Sequence, residues 1–444
     1  MEKNIMKIIR LKIDKLYDRI NYNIKFNDSL TFLYGDNGCG KTTVLNILTS
    51  IITGRVYELF KYKFKSIILD YVSVNDNRHD KITIMYNEDG NISLNFLNEV
   101  TVLERQYCTH VRNTEEREDV ERVYFLEYPC LKKIFDTFKY AYLPLNRNDA
   151  VVTDRYDLRN RRSNNSNYIH TSNEFNRNKD MNLVDVQRLV ANAYNKENFI
   201  LKRISEKFSD DILRSFLDVE DIPDIDEVID YMNKLSEKRI REIQIDYTAV
   251  LKTINKWDAE TEIRINTFFD SLIIDIDLAK RNIKDVSLTI LFKVSEIIKM
   301  TRIIKKAEKT ERTKNEIKEP IVNFLKTVND FICCDFNGKE IYIDDYGTLY
   351  LKTMYDKKIT VDNLSSGEKQ IITFFAYLIF GLETTKQSIF IVDEPELSLH
   401  LNWQKKFIDA ILSINQNVQL IFATHAPEII GRHRDKAIKL IPRV

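Results

Sequence analysis

Cysteine is scarce in this 444-residue chain: Cys39, Cys108, Cys130, Cys333 and Cys334 are the only five. They form no Cys-x-x-Cys pair, and the adjacent Cys333 and Cys334 do not make a tetrahedral zinc site. A reducing, cytoplasmic location is expected. Charge of one sign is missing too, because 67 lysines and arginines offset 67 aspartates and glutamates. No global field therefore draws the chain to nucleic acid or membrane, which leaves only a local basic face open. No apolar run of about twenty residues exists, so no membrane-spanning helix is expected. The segment Met1 to Lys7 lacks the apolar core of a signal peptide. Between Val186 and Phe331 glycine and proline almost vanish, which favours helix there.

What is present is a series of four motifs in a fixed order. The apolar run Leu30 to Tyr34 leads into Gly35-Asp36-Asn37-Gly38-Cys39-Gly40-Lys41-Thr42, and Thr43 to Leu48 continues as a helical pattern. Strand, glycine loop and helix together are the context of a P-loop. Its glycines let backbone amides turn towards phosphate, and the helix N-terminus adds partial positive charge. Asn37, Gly38, Cys39, Gly40, Lys41, Thr42 and Thr43 are the expected nucleotide-binding residues, with Lys41 reaching the β- and γ-phosphates. Thr42 is an expected Mg²⁺ ligand. The second motif is the apolar strand Ser388 to Val392, ending in Asp393 and Glu394. Two adjacent carboxylates at a strand end repel unless a cation lies between them. Asp393 is accordingly read as a metal ligand and Glu394 as the general base that polarises the attacking water.

In the third motif, Leu364-Ser365-Ser366-Gly367-Glu368-Lys369-Gln370 opens an apolar helix. Alone it reads as a capping box, Ser365 at the N-cap and Glu368 three residues on. The fourth is the buried strand Leu420 to Thr424 followed by His425. In this order the set resembles the ABC-type ATPases, in the branch shared by SMC, RecF and the overcoming-lysogenization-defect proteins. That resemblance makes Ser365, Ser366, Gly367 and Glu368 a signature acting in trans, and His425 a switch histidine beside Glu394 in the catalytic set. Asp393 to His400 (Asp-Glu-Pro-Glu-Leu-Ser-Leu-His) and Ala423 to Ile430 are similar to anti-phage defence ATPases. The PARIS type (AriA-like) fits first and the Septu type (PtuA-like) second.

The resemblance covers roughly the first 150 and last 110 residues, and implies an α/β ABC-ATPase head, a mixed sheet with P-loop, interrupted by a mostly helical insert. Expected domains are an N-terminal head lobe over 1–150, a basic loop and helical or coiled-coil insert over 151–330, and a C-terminal head lobe over 331–444. ATP and Mg²⁺ are the implied cofactors. One P-loop and one signature per chain imply a homodimer, or higher homo-oligomer, sharing composite ATP sites. The same resemblance implies an effector nuclease as a separate subunit, and a phage trigger protein as a further partner. A RecF- or SMC-like repair ATPase that clamps DNA is the alternative.

Some positions depart from the ABC pattern or read two ways. No glutamine stands at a Q-loop position; Tyr140 to Arg147 takes that place, and Arg147 reads either as facing nucleotide or a partner, or as a surface arginine. After His425 the sequence runs only to Val444, which leaves no room for a TOPRIM nuclease. Arg155 to Tyr168 is basic and interleaved with tyrosines: a loop touching nucleic acid or an acidic partner, or a solvated linker. Glu115 to Asp119 reads as a solvated face or loop. Residues 5–13, 24–26, 81–86 with 91–96, and 340–351 read as strands and hairpins, and Ile222-Pro223-Asp224 as a helix break.

Overall fold

The computed structural model describes residues 6–105, 114–138, 140–143, 151–152, 181–217, 225–254, 257–281, 287–333, 338–353, 358–381, 388–414 and 418–443. Its described chain divides into two units, one of residues 1–193 with 321–444 and one of 194–320.

The first unit holds two six-stranded sheets. One is antiparallel, in the order β2-β1-β4-β5-β6-β7. It is built from β1 (Met6–Leu16), β2 (Ile20–Lys25), β4 (Ser66–Ser73), β5 (Arg78–Tyr86), β6 (Ile92–Phe96) and β7 (Glu99–Leu103). Leu11, Ile13, Ile67, Leu69, Ile82, Ile84 and Leu94 are fully buried, as period-two alternation places one face of each strand inward. The hairpin expected over 81–96 is β5 with β6, and Ile84 pairs with Leu94.

The second sheet runs β15-β3-β14-β13-β8-β9. Its members are β3 (Leu30–Tyr34), β8 (Tyr140–Leu143), β9 (Val151–Val152), β13 (Ser388–Asp393), β14 (Val418–Thr424) and β15 (Ala437–Lys439). The pairs β15–β3, β3–β14, β14–β13 and β13–β8 are parallel. Every residue of β14 is buried, as a central parallel strand covered on both faces requires. One face packs with the first sheet and with α1 (Lys41–Ile52), α2 (Thr114–Glu127) and α3 (Pro129–Thr137) in a shared core. The other packs on α9 (Ser366–Phe380) and α10 (Leu401–Ile414), where the Phe374 ring lies 4.5 Å from Phe407 and 5.1 Å from Phe390. A buried glutamine ties the sheets: Gln419 accepts from the Ile8 amide at 2.8 Å and donates to the Ile8 and Asn27 carbonyls at 2.8 and 3.0 Å. A small antiparallel sheet of β10 (Glu340–Ile343), β11 (Leu349–Lys352) and β12 (Lys358–Thr360) precedes α9.

The second unit is helical, drawing on α4 (Met181–Leu217), α5 (Ile225–Lys234), α6 (Glu237–Thr253), α7 (Ala259–Arg281) and α8 (Leu288–Ile332). Phe208, Val228, Ile240, Ile243, Phe269, Leu272, Val294 and Ile297 form one core. The i, i+3 spacing of Ile240 with Ile243, Phe269 with Leu272 and Val294 with Ile297 suits helices packed on one side, while Phe199, Ile245, Ile263, Ile274 and Phe292 remain exposed. The mixed α/β fold with a mostly helical insert is thus as expected. The Ile222 break, Arg147, and the basic stretch Arg155 to Tyr168 lie outside the described residues. Residues 115–119 fall within α2. Among the described residues no helix is long and apolar enough to cross a membrane.

Candidate functional site

Three neighbouring parallel strands deliver their carboxyl ends to one place. Tyr34 of β3 is level with Thr424 of β14, and Ala423 is level with Asp393 of β13. The residues that follow these strands therefore gather at one edge, where open parallel sheets collect ligands.

After β3 comes the glycine loop. Gly38 and Gly40 adopt φ of 79° and 89°, a left-handed region that L side chains rarely enter. Gly40 caps α1 and supplies no side-chain acceptor, so the first-turn amides of α1 keep their donor character. A Cβ on Gly40 would come within 2.4 Å of the Tyr22 hydroxyl. That hydroxyl donates to the Cys39 carbonyl at 2.8 Å, so β2 props the loop from beneath. Asn37 and Gly38 are exposed, Cys39 is buried, and Thr42 and Thr43 are half-buried.

Lys41 is only 5% exposed. Its ammonium donates to the carbonyls of Gly35 at 3.1 Å and Asp36 at 3.4 Å, and meets His425 Nε2 at 2.5 Å. An ammonium has no acceptor, so this contact requires an unprotonated Nε2. The same nitrogen lies 3.6 Å from Glu394 Oε1, too long for a hydrogen bond. Lys41, His425 and Glu394 thus converge, with the imidazole between cation and carboxylate.

Asp393 is completely buried, and neither carboxylate oxygen meets strict hydrogen-bond geometry. Burial pushes its pKa up to about 6, and the Glu394 and Glu396 charges add to the rise. The Thr42 hydroxyl and Lys41 pull the other way. Thr42 and Lys41 therefore lie near enough to favour the ionised form of Asp393. Orphaned carboxylate oxygens beside a threonine hydroxyl are a hard-oxygen donor set, which fits Mg²⁺. Among the described residues no cluster of three or more His, Cys, Asp or Glu is arranged around a metal position. Glu394 sits at φ 46°, uncommon for a residue with a Cβ, and its amide donates to the Ala423 carbonyl at 2.8 Å.

The segment Ser365 to Glu368 builds the N-terminus of α9. The capping box is complete: Ser365 Oγ accepts from the Glu368 amide, and Glu368 Oε2 accepts from the Ser365 amide at 2.8 Å. Burial alone would raise the Glu368 carboxyl, but Ser365 and the Lys339 ammonium at 3.0 Å outweigh it and hold it below its usual range. Ser365 and Ser366 stay exposed, while Gly367 is buried. A Cβ on Gly367 would stand 2.5 Å from the Ser398 carbonyl. This helix end therefore abuts the turn that follows Asp393.

Several residues here escaped the motif reading. Tyr22 supports the loop, Gln370 donates to the Pro395 carbonyl at 2.7 Å, and Glu396 accepts from the His425 amide at 2.6 Å. Tyr142 of β8, its hydroxyl 2.8 Å from Asn46 of α1, has its pKa raised by burial and by Asp393. Gln370 and Glu396 stood inside the motifs without a role being read for them, and a third carboxylate three residues after Asp393 was a usable signal.

The AAA ATPase domain family matches residues 6–430, so this chain belongs to that family. It is 29% identical over 93 residues to the probable ATPase of retron Vc95 from Vibrio cholerae, covering 19% of this chain and 18% of that protein. To the DNA double-strand break repair Rad50 ATPase of Sulfolobus acidocaldarius it is 28% identical over 139 residues, 31% of this chain and 16% of the relative. The matches thus span less than a fifth of either relative's length. Among solved structures, the Smc head of Pyrococcus furiosus bound to the C-terminal domain of ScpA aligns at TM-score 0.41 and 13% identity, over 96% of this chain and 91% of that one. The SMC head of Thermotoga maritima aligns at 0.40 and 10%, over 98% and 97%.

Proposed function

From membership in the AAA ATPase domain family, we propose that this chain binds and hydrolyses ATP at the carboxyl ends of β3, β14 and β13. The observation that carries this is the convergence of Lys41, His425 and Glu394 beside the buried, unpaired Asp393. The loop amides and Lys41 bind the phosphates, and the uncapped start of α1 adds its dipole. Asp393 and Thr42 would hold Mg²⁺, which would supply positive charge to offset that of the phosphate oxygens. Glu394 accepts a proton from the attacking water as its oxygen bonds the γ-phosphorus and the bond to the bridging oxygen of ADP breaks. His425, lying between Lys41 and Glu394, orients the water or the γ-phosphate. Ser365, Ser366, Gly367 and the exposed start of α9 complete the ATP site of a second copy, so the working unit is a homodimer or higher homo-oligomer. Lobes over 1–150 and 331–444 make the head, and the region 151–330 transmits opening and closing to a partner.

The biological role we favour is the ATPase subunit of an anti-phage defence complex, holding a separate effector nuclease and releasing or activating it when a phage protein arrives. Support comes from the Asp393 to His400 and Ala423 to Ile430 motifs and from the likeness to the retron ATPase. A second reading, an ATPase that clamps DNA in repair, draws on the likeness to the Rad50 ATPase. Purified protein should hydrolyse ATP and leave DNA and RNA uncut, and co-expression with the neighbouring gene should yield a stable complex. Metal-dependent nuclease activity from this chain alone would overturn the two-component reading; tight ATP-dependent DNA binding without a partner would favour repair.

A further inference from the structure

We propose that Glu396 is a positioning residue, clasping the backbone of His425 so that its ring stays between Lys41 and Glu394. The proposal rests on the ATPase reading of this site. Glu396 lies in the turn Pro395 to Ser398, directly after β13. Its Oε1 accepts from the His425 amide at 2.6 Å and from the Ala426 amide at 3.2 Å. Ala426 has a second acceptor, Thr424 Oγ1 at 3.0 Å, whereas the bond to Glu396 is the one found for the His425 amide. The carboxylate therefore fixes the point at which the chain leaves β14, and with it the direction of the imidazole.

The turn that carries Glu396 is itself anchored from two sides. Gln370 of α9 donates to the Pro395 carbonyl at 2.7 Å, and Gln404 of α10 donates to the Leu399 carbonyl at 2.9 Å and the Glu396 carbonyl at 3.4 Å. Glu394 and Ser398 bracket it at φ 46° and 66°, conformations that persist only where surroundings over-determine them. A firm base of this kind gives the Glu396–His425 clasp mechanical meaning. The carboxylate also comes at a cost, since Oε2 is buried without a hydrogen-bond partner and its charge opposes ionisation of Asp393. Helix α11 (Pro427–Ile430) begins just beyond, and the amides that Glu396 accepts belong to His425 and Ala426, ahead of the first-turn donors that a helix cap serves. Holding His425 accounts for the arrangement better than holding α11.

Without the acceptor the His425 amide turns to solvent and the ring drifts from Lys41 and Glu394, while the phosphate-binding loop is untouched. Misplacement of about 1 Å in such a constellation costs up to about a hundredfold in rate. Steady-state ATPase kinetics on the full chain test this. Glu396→Ala should lower kcat by about ten- to a hundredfold and leave KM for ATP within about threefold. Glu396→Gln keeps an oxygen acceptor of the same reach and should recover kcat to within about threefold of wild type. The double variant Glu396→Ala with His425→Ala should be no slower than His425→Ala alone, because both changes remove one function. Unchanged kcat in Glu396→Ala, equal damage from alanine and glutamine, or additive losses in the double variant would each overturn the positioning role. No ATP turnover by the wild type, or wild-type ATP affinity and turnover in Lys41→Ala, would instead overturn the ATPase reading of the site itself, and the proposal with it.

Discussion

Replacing Asp393 by asparagine should make the unliganded protein more stable while abolishing its Mg²⁺-dependent ATPase. Asp393 is fully buried with no hydrogen-bond partner, and its pKa stands at about 6 against an ordinary 3.8. That difference corresponds to about 3 kcal/mol of disfavour for the ionised form at neutral pH. The sign follows from proton linkage. Between pH 3.8 and about 6 the folded state binds more protons than the unfolded state, so this group's contribution to stability falls as pH rises through that window. Below it the penalty vanishes; above it the penalty is complete. An asparagine carries no charge but leaves its amide poorly paired, which returns about 1–2 kcal/mol of the gain. Urea denaturation at pH 7.5, without nucleotide or metal, should therefore show Asp393→Asn more stable by about 1–2 kcal/mol. At pH 4, where most of the charge penalty has gone and the amide's cost remains, the order should reverse, with the asparagine variant less stable by about 0.5–1.5 kcal/mol. Because every other titrating group is common to both, the difference between their pH profiles isolates Asp393. An asparagine variant that is less stable at neutral pH, or a difference that does not change between pH 4 and 7, would refute the argument.

Lys41→Ala should abolish Mg²⁺-dependent ATP binding in a nucleotide titration, since it removes a buried cation that faces the loop carbonyls and His425. Glu394→Gln should bind ATP normally yet lose at least about a hundredfold in turnover, trapping the ATP-bound oligomer for sizing by chromatography. Ser365→Arg alone should be inactive, but mixed with Lys41→Ala it should recover activity, because pairing the two defects on one composite site leaves the other intact; no recovery at any ratio would argue against shared sites. Tyr22→Phe should cost about 0.5–1.5 kcal/mol of stability through the lost bond to the Cys39 carbonyl, and should weaken nucleotide affinity measurably in the same titration.

The parts of this site that were legible in the sequence are local ones. A strand, a glycine loop and a helix lie within twenty residues of one another, so Leu30 to Leu48 announces its own conformation. The apolar runs before Asp393 and His425 read as buried parallel strands because no polar residue interrupts a covered sheet. Strand order is a non-local property, and nothing in either run says that β14 inserts between β3 and β13. The supporting polar contacts are less legible still. Tyr22 and Cys39 are 17 residues apart, Gln370 and Pro395 are 25, and Glu396 and His425 are 29. Each is a single polar side chain whose partner is a backbone group, and a backbone group leaves no mark on composition or periodicity.

Ser365 and Gly367 show how a motif can carry two meanings at once. The capping box read from Ser365 and Glu368 is fully formed, so the bland account of that sequence is sufficient for the helix start. It does not account for Gly367, where a Cβ would meet the Ser398 carbonyl at 2.5 Å. Nor does it account for Gln370, buried one turn further on and bonded to Pro395. Both contacts press the start of α9 against the turn that bears Glu396, and through Glu396 against His425. A cap needs only Ser365 and Glu368; a helix start that must report on the turn after Asp393 needs Gly367 and Gln370 as well. Motion of that turn would therefore be felt both at the exposed serines of α9 and at the imidazole facing Lys41.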